Sequence, residues 1–93
     1  MNRIKVIDFW APWCCPCKMI EPMIDKLKEE MPHVTFEKIN VDATEGVVKQ
    51  FGIRSIPTLI FFVDGEEKTR LVGLTTKGSI ADRIRSIDPD FSI

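Results

Sequence analysis

From Ile4 to Trp10 apolar, β-branched and aromatic residues run almost without interruption, with Asp8 inside the run. Such a run suits a central strand covered on both faces. Cys17, Ile20, Ile24, Leu27 and Met31 then recur at spacings of three or four, which predicts a helix over Cys14–Met31 with one buried stripe. Pro16 falls in its first turn, where the missing N–H costs no helical bond. Pro22 falls in the interior and is expected to kink the helix near Lys18. Pro32 and His33 break the pattern, with His33 alone and expected to be solvated, and Val34–Val41 reads as a second strand whose Glu37 and Lys38 suit a sheet edge.

Val47, Val48 and Phe51 mark a short helix, with Asp42 or Thr44 as its expected cap and Gly52 closing it. Thr58–Val63 and Glu67–Val72 flank Asp64-Gly65, a hairpin signature. Ile80, Ala81, Ile84 and Ile87 mark a last helix, capped by Thr75 or Thr76 and stopped by Asp88-Pro89. The order β-α-β-α-β-β-α predicts an α/β fold with a four-stranded mixed sheet and helices on both faces. Helical crossovers would make the first three strands parallel, and the hairpin would supply the antiparallel one.

Composition narrows this to a single domain over residues 1–93, since 44% hydrophobic residues in so short a chain support one core. A net charge of -1 and no basic run argue against nucleic acid or an anionic membrane as partner. The longest apolar stretch, Leu59–Val63, is far short of the ~20 residues of a membrane span. Arg3, Lys5 and Asp8 interrupt the N-terminus where a signal peptide would be apolar, so a cytoplasmic protein is expected. Three cysteines, all within residues 14–17, suit catalysis or metal binding in a reducing compartment better than a secreted disulfide framework.

The thiols lie at a helix start, where unpaired N–H groups and a partial positive charge favour a thiolate. Positions i and i+3 share a helix face about 5 to 6 Å apart, within reach of a disulfide, so Cys14 and Cys17 are the expected pair. Cys15 is adjacent to Cys14 and points away from Cys17, so a tuning or side-reactive part is expected of it. Lowering a thiol pKa from about 8.5 to about 7 raises the thiolate fraction at pH 7 from about 3% to about half. The weaker nucleophile takes back about fivefold, leaving roughly threefold.

The residues Asp-Phe-Trp-Ala-Pro-Trp-Cys-Cys-Pro-Cys-Lys at 8–18, Pro22, Lys38 with Val41-Asp42, Phe51 to Thr58 and Val72-Gly73 resemble the thioredoxin family over roughly residues 4–87. A Cys-x-x-Cys beside a βαβ pattern is a general signature of such redox proteins. The chain differs in lacking the N-terminal strand and helix that thioredoxins usually carry, and in having Cys15 where most have glycine.

The resemblance implies a protein-disulfide reductase that uses no cofactor beyond the Cys14/Cys17 dithiol. Cys14 would be the more exposed, attacking thiol and Cys17 the resolving one, with Pro16 between the cysteines tuning the potential. Asp8 would exchange a proton with Cys17, its pKa raised by burial, and Lys38 would neighbour it. Ile56-Pro57 would be a cis peptide against the thiols, with the Ile56 backbone pairing to an extended substrate segment. Trp13, Ile53, Pro57, Gly73 and Leu74 would form an apolar rim, and Trp10 would pack beneath. Implied partners are disulfide-containing proteins and a thioredoxin reductase or other dithiol donor, with the chain itself a monomer. The alternatives are an isomerase or oxidase of the same fold, a zinc or iron–sulfur protein using Cys14, Cys15 and Cys17, and a non-enzymatic binding module.

Overall fold

The computed structural model describes residues 2–91. Strand β1 (Ile4–Trp10) leads into helix α1 (Cys15–Glu30), followed by β2 (Val34–Asn40), α2 (Val47–Phe51), β3 (Thr58–Val63), β4 (Glu66–Val72) and α3 (Lys77–Ile87). The strands form one mixed sheet in the order β2-β1-β3-β4. The element order and the edge position of β2 are those the sequence predicts. Asp64 and Gly65 turn the β3–β4 hairpin with positive φ at both residues, which matches the twist of the flanking strands.

One strand runs the other way from expectation. β2 is parallel to β1, but β3 is antiparallel to it. Asn40 ends β2 opposite Trp10, and Thr58 begins β3 opposite Phe9, so the chain re-enters the sheet at the end it left. A parallel crossover must carry the chain back along a whole strand, and a five-residue helix advances only about 7.5 Å. The caps differ as well. Gly46, in the left-handed region, precedes α2 with no side-chain cap, so neither Asp42 nor Thr44 caps it. Gly52 closes α2 in the left-handed conformation, and the Thr76 hydroxyl caps α3 by accepting from the Ser79 N–H at 3.1 Å.

The sheet is covered on both faces. On one, Ile20, Ile24 and Leu27 of α1 and Ile80, Ala81 and Ile84 of α3 pack against Ile4, Val6, Leu59, Phe61 and Val63. On the other, Val47 and Phe51 of α2 with Ile53 pack on Ile7, Phe9 and Ile60. Strand alternation produces this division, and it places Asp8 on the face of Ile4 and Val6, under α1.

Candidate active site

The site lies where β1 gives way to α1. The Cys14 N–H donates to the Ala11 carbonyl at 3.1 Å, closing a tight turn after the strand. Cys14 is the extended residue preceding α1, and its Sγ accepts from the Cys17 N–H at 3.2 Å. Pro16 sits in the first turn, where no helical donor is lost. Cys14 and Cys17 form a disulfide with a Cα–Cα distance of 5.3 Å.

The expected contrast in thiol exposure is absent, since Cys14 is 4% exposed and Cys17 3%. Capping turns the Cys14 sulfur inward, and Ala11, Trp10, Val41 and Ile56 close around the pair. The exposed cysteine is Cys15, a free thiol.

Two hollows lie near this disulfide, one reaching Cys17 itself and the other meeting the pair through Val41 and Ile56. The first, about 340 Å³, is lined by Asp8, Trp10, Pro12, Cys17, Lys18, Glu21 and Lys38. Asp8 is 1% exposed, and neither of its carboxyl oxygens has a hydrogen-bond partner. Burial raises its pKa from 3.8 to about 6; Lys38 opposes the rise and Glu21 adds to it. Lys38 is in register with Asp8 on the neighbouring strand. Its ammonium lies 3.3 Å from Glu21 Oε1 and 4.6 Å from the centre of the Trp10 ring, so it is not the freely solvated lysine of a bare edge.

The second hollow, about 370 Å³, is a groove lined by Trp13, Val41, Val48, Ile53, Arg54, Ser55 and Ile56. Trp13 is 67% exposed, and its indole N–H donates to Asp42 Oδ2 at 2.7 Å. The Ile56–Pro57 peptide is cis, Pro57 is fully buried, and the Ile56 backbone precedes β3 outside its ladder. Gly73 donates its N–H to the Pro57 carbonyl at 2.8 Å and has φ +89°, a conformation that favours glycine. Buried Pro57, Gly73 and the exposed Leu74 do not line the groove, so the expected rim is narrower on that side. His33 is far along the chain from these groups and is not merely solvated, since its Nε2 lies 3.4 Å from Asp88.

Sequence reading missed Glu21 and the Trp13–Asp42 bond. Glu21 stands one turn after Cys17 at i+4, a spacing that signals a shared helix face. Asp42 stood out as a possible helix cap and as part of the family pattern, not as a partner of Trp13. Among the described residues, no group of three or more His, Cys, Asp or Glu is placed to hold a metal, and no described helix is long and apolar enough to cross a membrane.

Comparison with known proteins agrees with this geometry. The thioredoxin family profile matches residues 1–86. The chain is 48% identical over 83 residues to a thioredoxin of Chlamydia muridarum, covering 89% of this chain and 81% of that protein. It is 46% identical over 80 residues to the chloroplastic M-type thioredoxin of Spinacia oleracea, covering 85% of this chain but only 44% of that longer protein. A solved mutant thioredoxin from Halobacterium salinarum superposes with a TM-score of 0.90 at 35% identity, over 98% of this chain and 80% of that one.

Proposed function

The chain belongs to the thioredoxin family and is a thiol–disulfide oxidoreductase, and from that premise we propose that it reduces protein disulfides with Cys14 as nucleophile, Cys17 as resolving thiol and Asp8 as the acceptor of the Cys17 proton. The Cys14 thiolate attacks a substrate disulfide, forming a Cys14–substrate bond and releasing the first substrate sulfur as a thiolate that takes up a proton. Cys17 then loses its proton to Asp8 and attacks Cys14 Sγ. The Cys14–Cys17 bond forms, the Cys14–substrate bond breaks, and the second substrate thiol leaves. Two electrons pass from the dithiol to the substrate, so the cysteine pair serves as the only redox group.

The observation that carries this reading is the pairing of Cys17 with an unpartnered buried carboxyl in one cavity. A carboxyl with a pKa of about 6 is mostly ionised at neutral pH yet close enough to it to accept a proton from a thiol and return it. The Cys17 N–H aimed at Cys14 Sγ supports Cys14 as the leaving and attacking sulfur, because a thiolate there gains that hydrogen bond.

The apolar groove, with Ile56 at its edge, is read as the site for an extended segment of the substrate protein. Trp13 and the Ile56 backbone hold that segment, while Pro57 sets the Ile56 backbone through the cis peptide and Gly73 braces Pro57 by donating its N–H to the Pro57 carbonyl. Pro16 and Cys15 modulate the pair without exchanging electrons themselves. The electron donor is a thioredoxin reductase or another dithiol protein, and the chain works as a monomer in a reducing compartment such as the cytoplasm.

The test is to mix Cys17→Ser with a disulfide-bonded protein and isolate the covalent adduct through Cys14. Rapid turnover by that variant with no adduct overturns the assignment. Equilibration of the parent chain with glutathione buffers tests direction, since a strongly reducing potential is expected of a reductase and a mild one would point to an isomerase.

A further inference from the structure

The cavity beside Cys17 holds an arrangement of charge that the exchange reaction alone does not require. Asp8 lies at its buried end, and Lys38 and Glu21 flank its outer part, with side chains 32% and 51% exposed. Lys38 is the register neighbour of Asp8, so its side chain leaves the same face of the sheet one strand away. A lysine there could lean inward and pair with the carboxyl. Its ammonium is instead taken by Glu21 at 3.3 Å, over the Trp10 ring. Glu21 can do this because it stands one turn beyond Cys17 on α1.

Resting on the reading of Asp8 given above, we propose that Glu21 is a positioning residue for the Cys17 step: it holds the Lys38 ammonium at the cavity mouth and keeps it from pairing with Asp8.

The charged groups facing Asp8 come from two elements, Glu21 and Lys18 from α1 and Lys38 from β2, while its β3 register partner is the apolar Leu59. An ammonium in direct contact would stabilise the carboxylate and weaken it as a base, since an opposite charge within about 4 to 6 Å favours the charged form. Glu21 acts against this in two ways that add. Its own charge favours the protonated carboxyl, and its bond to Lys38 keeps the competing cation outside. Loss of Glu21 therefore moves Asp8 in one direction only, toward the ordinary carboxylate range. Glu21 is half-exposed and outside the core, so its replacement leaves the fold intact.

The experiment follows the Asp8 carboxyl by carbon NMR through a pH titration of the reduced full chain, in the parent, Glu21→Gln, Lys38→Met and the double variant. Single-turnover collapse of a preformed Cys14 mixed disulfide with a small test thiol is timed over the same pH range. Glu21→Gln is expected to lower the Asp8 midpoint by roughly half a pH unit or more, and to carry the pH profile of collapse with it. Lys38→Met is expected to raise the midpoint. In the Lys38→Met background, Glu21→Gln should have a smaller effect, because no ammonium remains to be released. An unchanged midpoint in Glu21→Gln, or an equal effect with and without Lys38, overturns the proposal. The Asp8 reading itself has a separate check: an Asp8→Asn chain whose collapse matches the parent at every pH overturns that reading, whatever the titration of Asp8 shows.

Discussion

The two hollows beside the disulfide are nearly equal in size and opposite in chemistry. One, about 340 Å³, runs inward to a carboxyl that has no hydrogen-bond partner. The other, about 370 Å³, is an open groove lined largely by apolar side chains. Both draw on the same few elements, since Trp10 and Trp13 stand three residues apart and line different hollows. The difference comes from what covers each side. The first turns of α1, through Cys17, Lys18 and Glu21, close over buried Asp8, whereas the five-residue α2 leaves its neighbour open to a partner. In our reading, one side handles protons and the other handles substrate, so each is expected to fail in its own way.

Removing the sulfur that both sides serve has the largest effect. Cys14→Ser is expected to abolish reduction of a test protein disulfide, a loss of at least about a thousandfold, because no other thiol is paired for the first attack. A Cys14→Ser chain that still reduces the substrate would mean that Cys15 or Cys17 can start the reaction alone.

Next comes the buried carboxyl, whose effect reaches stability as well as rate. Its pKa is 3.8 before folding and about 6 in the folded chain, so between those values the native state holds more protons than the unfolded one. Stability contributed by the protonated form is therefore present below about pH 4 and is lost as pH rises through about 6. A difference of two pH units corresponds to roughly 3 kcal/mol. Asp8→Asn, measured by denaturant unfolding, should be more stable than the parent by up to about that amount at pH 8, with the gap closing toward pH 4. Its Cys17 step should be slower and lose its dependence on pH near 6, with KM little changed. A stability gap independent of pH would contradict the ionisation account.

Changes on the groove side should show the reverse pattern. Trp13→Ala removes an exposed ring and its bond to Asp42, and kcat/KM for a protein substrate should fall by about tenfold, mainly through KM. Its pH profile should match the parent's. A displaced profile would show that the two hollows are coupled.

Cys15→Ser is expected to change least, within about twofold in rate, since the residue is exposed and belongs to neither hollow. A larger loss would give Cys15 a part in exchange that its geometry argues against.

Much of this site was readable because it is local. Cys14, Pro16 and Cys17 lie within one helical turn, and the strand before them and the stripe after them repeat with periods that any window of the chain displays. Asp8 was conspicuous as a charge in an apolar run, and its burial followed. Lys38 was harder. Its neighbour on the next strand could be anticipated, but the carboxylate that holds it lies on another element and has no mark in the sequence beyond its spacing from Cys17. Trp13 was foreseen as an exposed apolar surface, yet its bond to Asp42 spans 29 residues and depends on where the chain goes after β2.

What the sequence alone determined was the set of pieces: the dithiol at a helix start, the order of strands and helices, and the buried stripes. These follow from periodicity, capping and turn chemistry, all set by residues a few positions apart. Only the tertiary structure decided the direction of β3, the inward turn of the Cys14 sulfur, and the hold of Glu21 on Lys38 beside Asp8. Strand direction depends on the end of the sheet at which a connection returns, and the other two depend on side chains that packing brings together. Those distances are properties of the folded chain and are written in no single stretch of it.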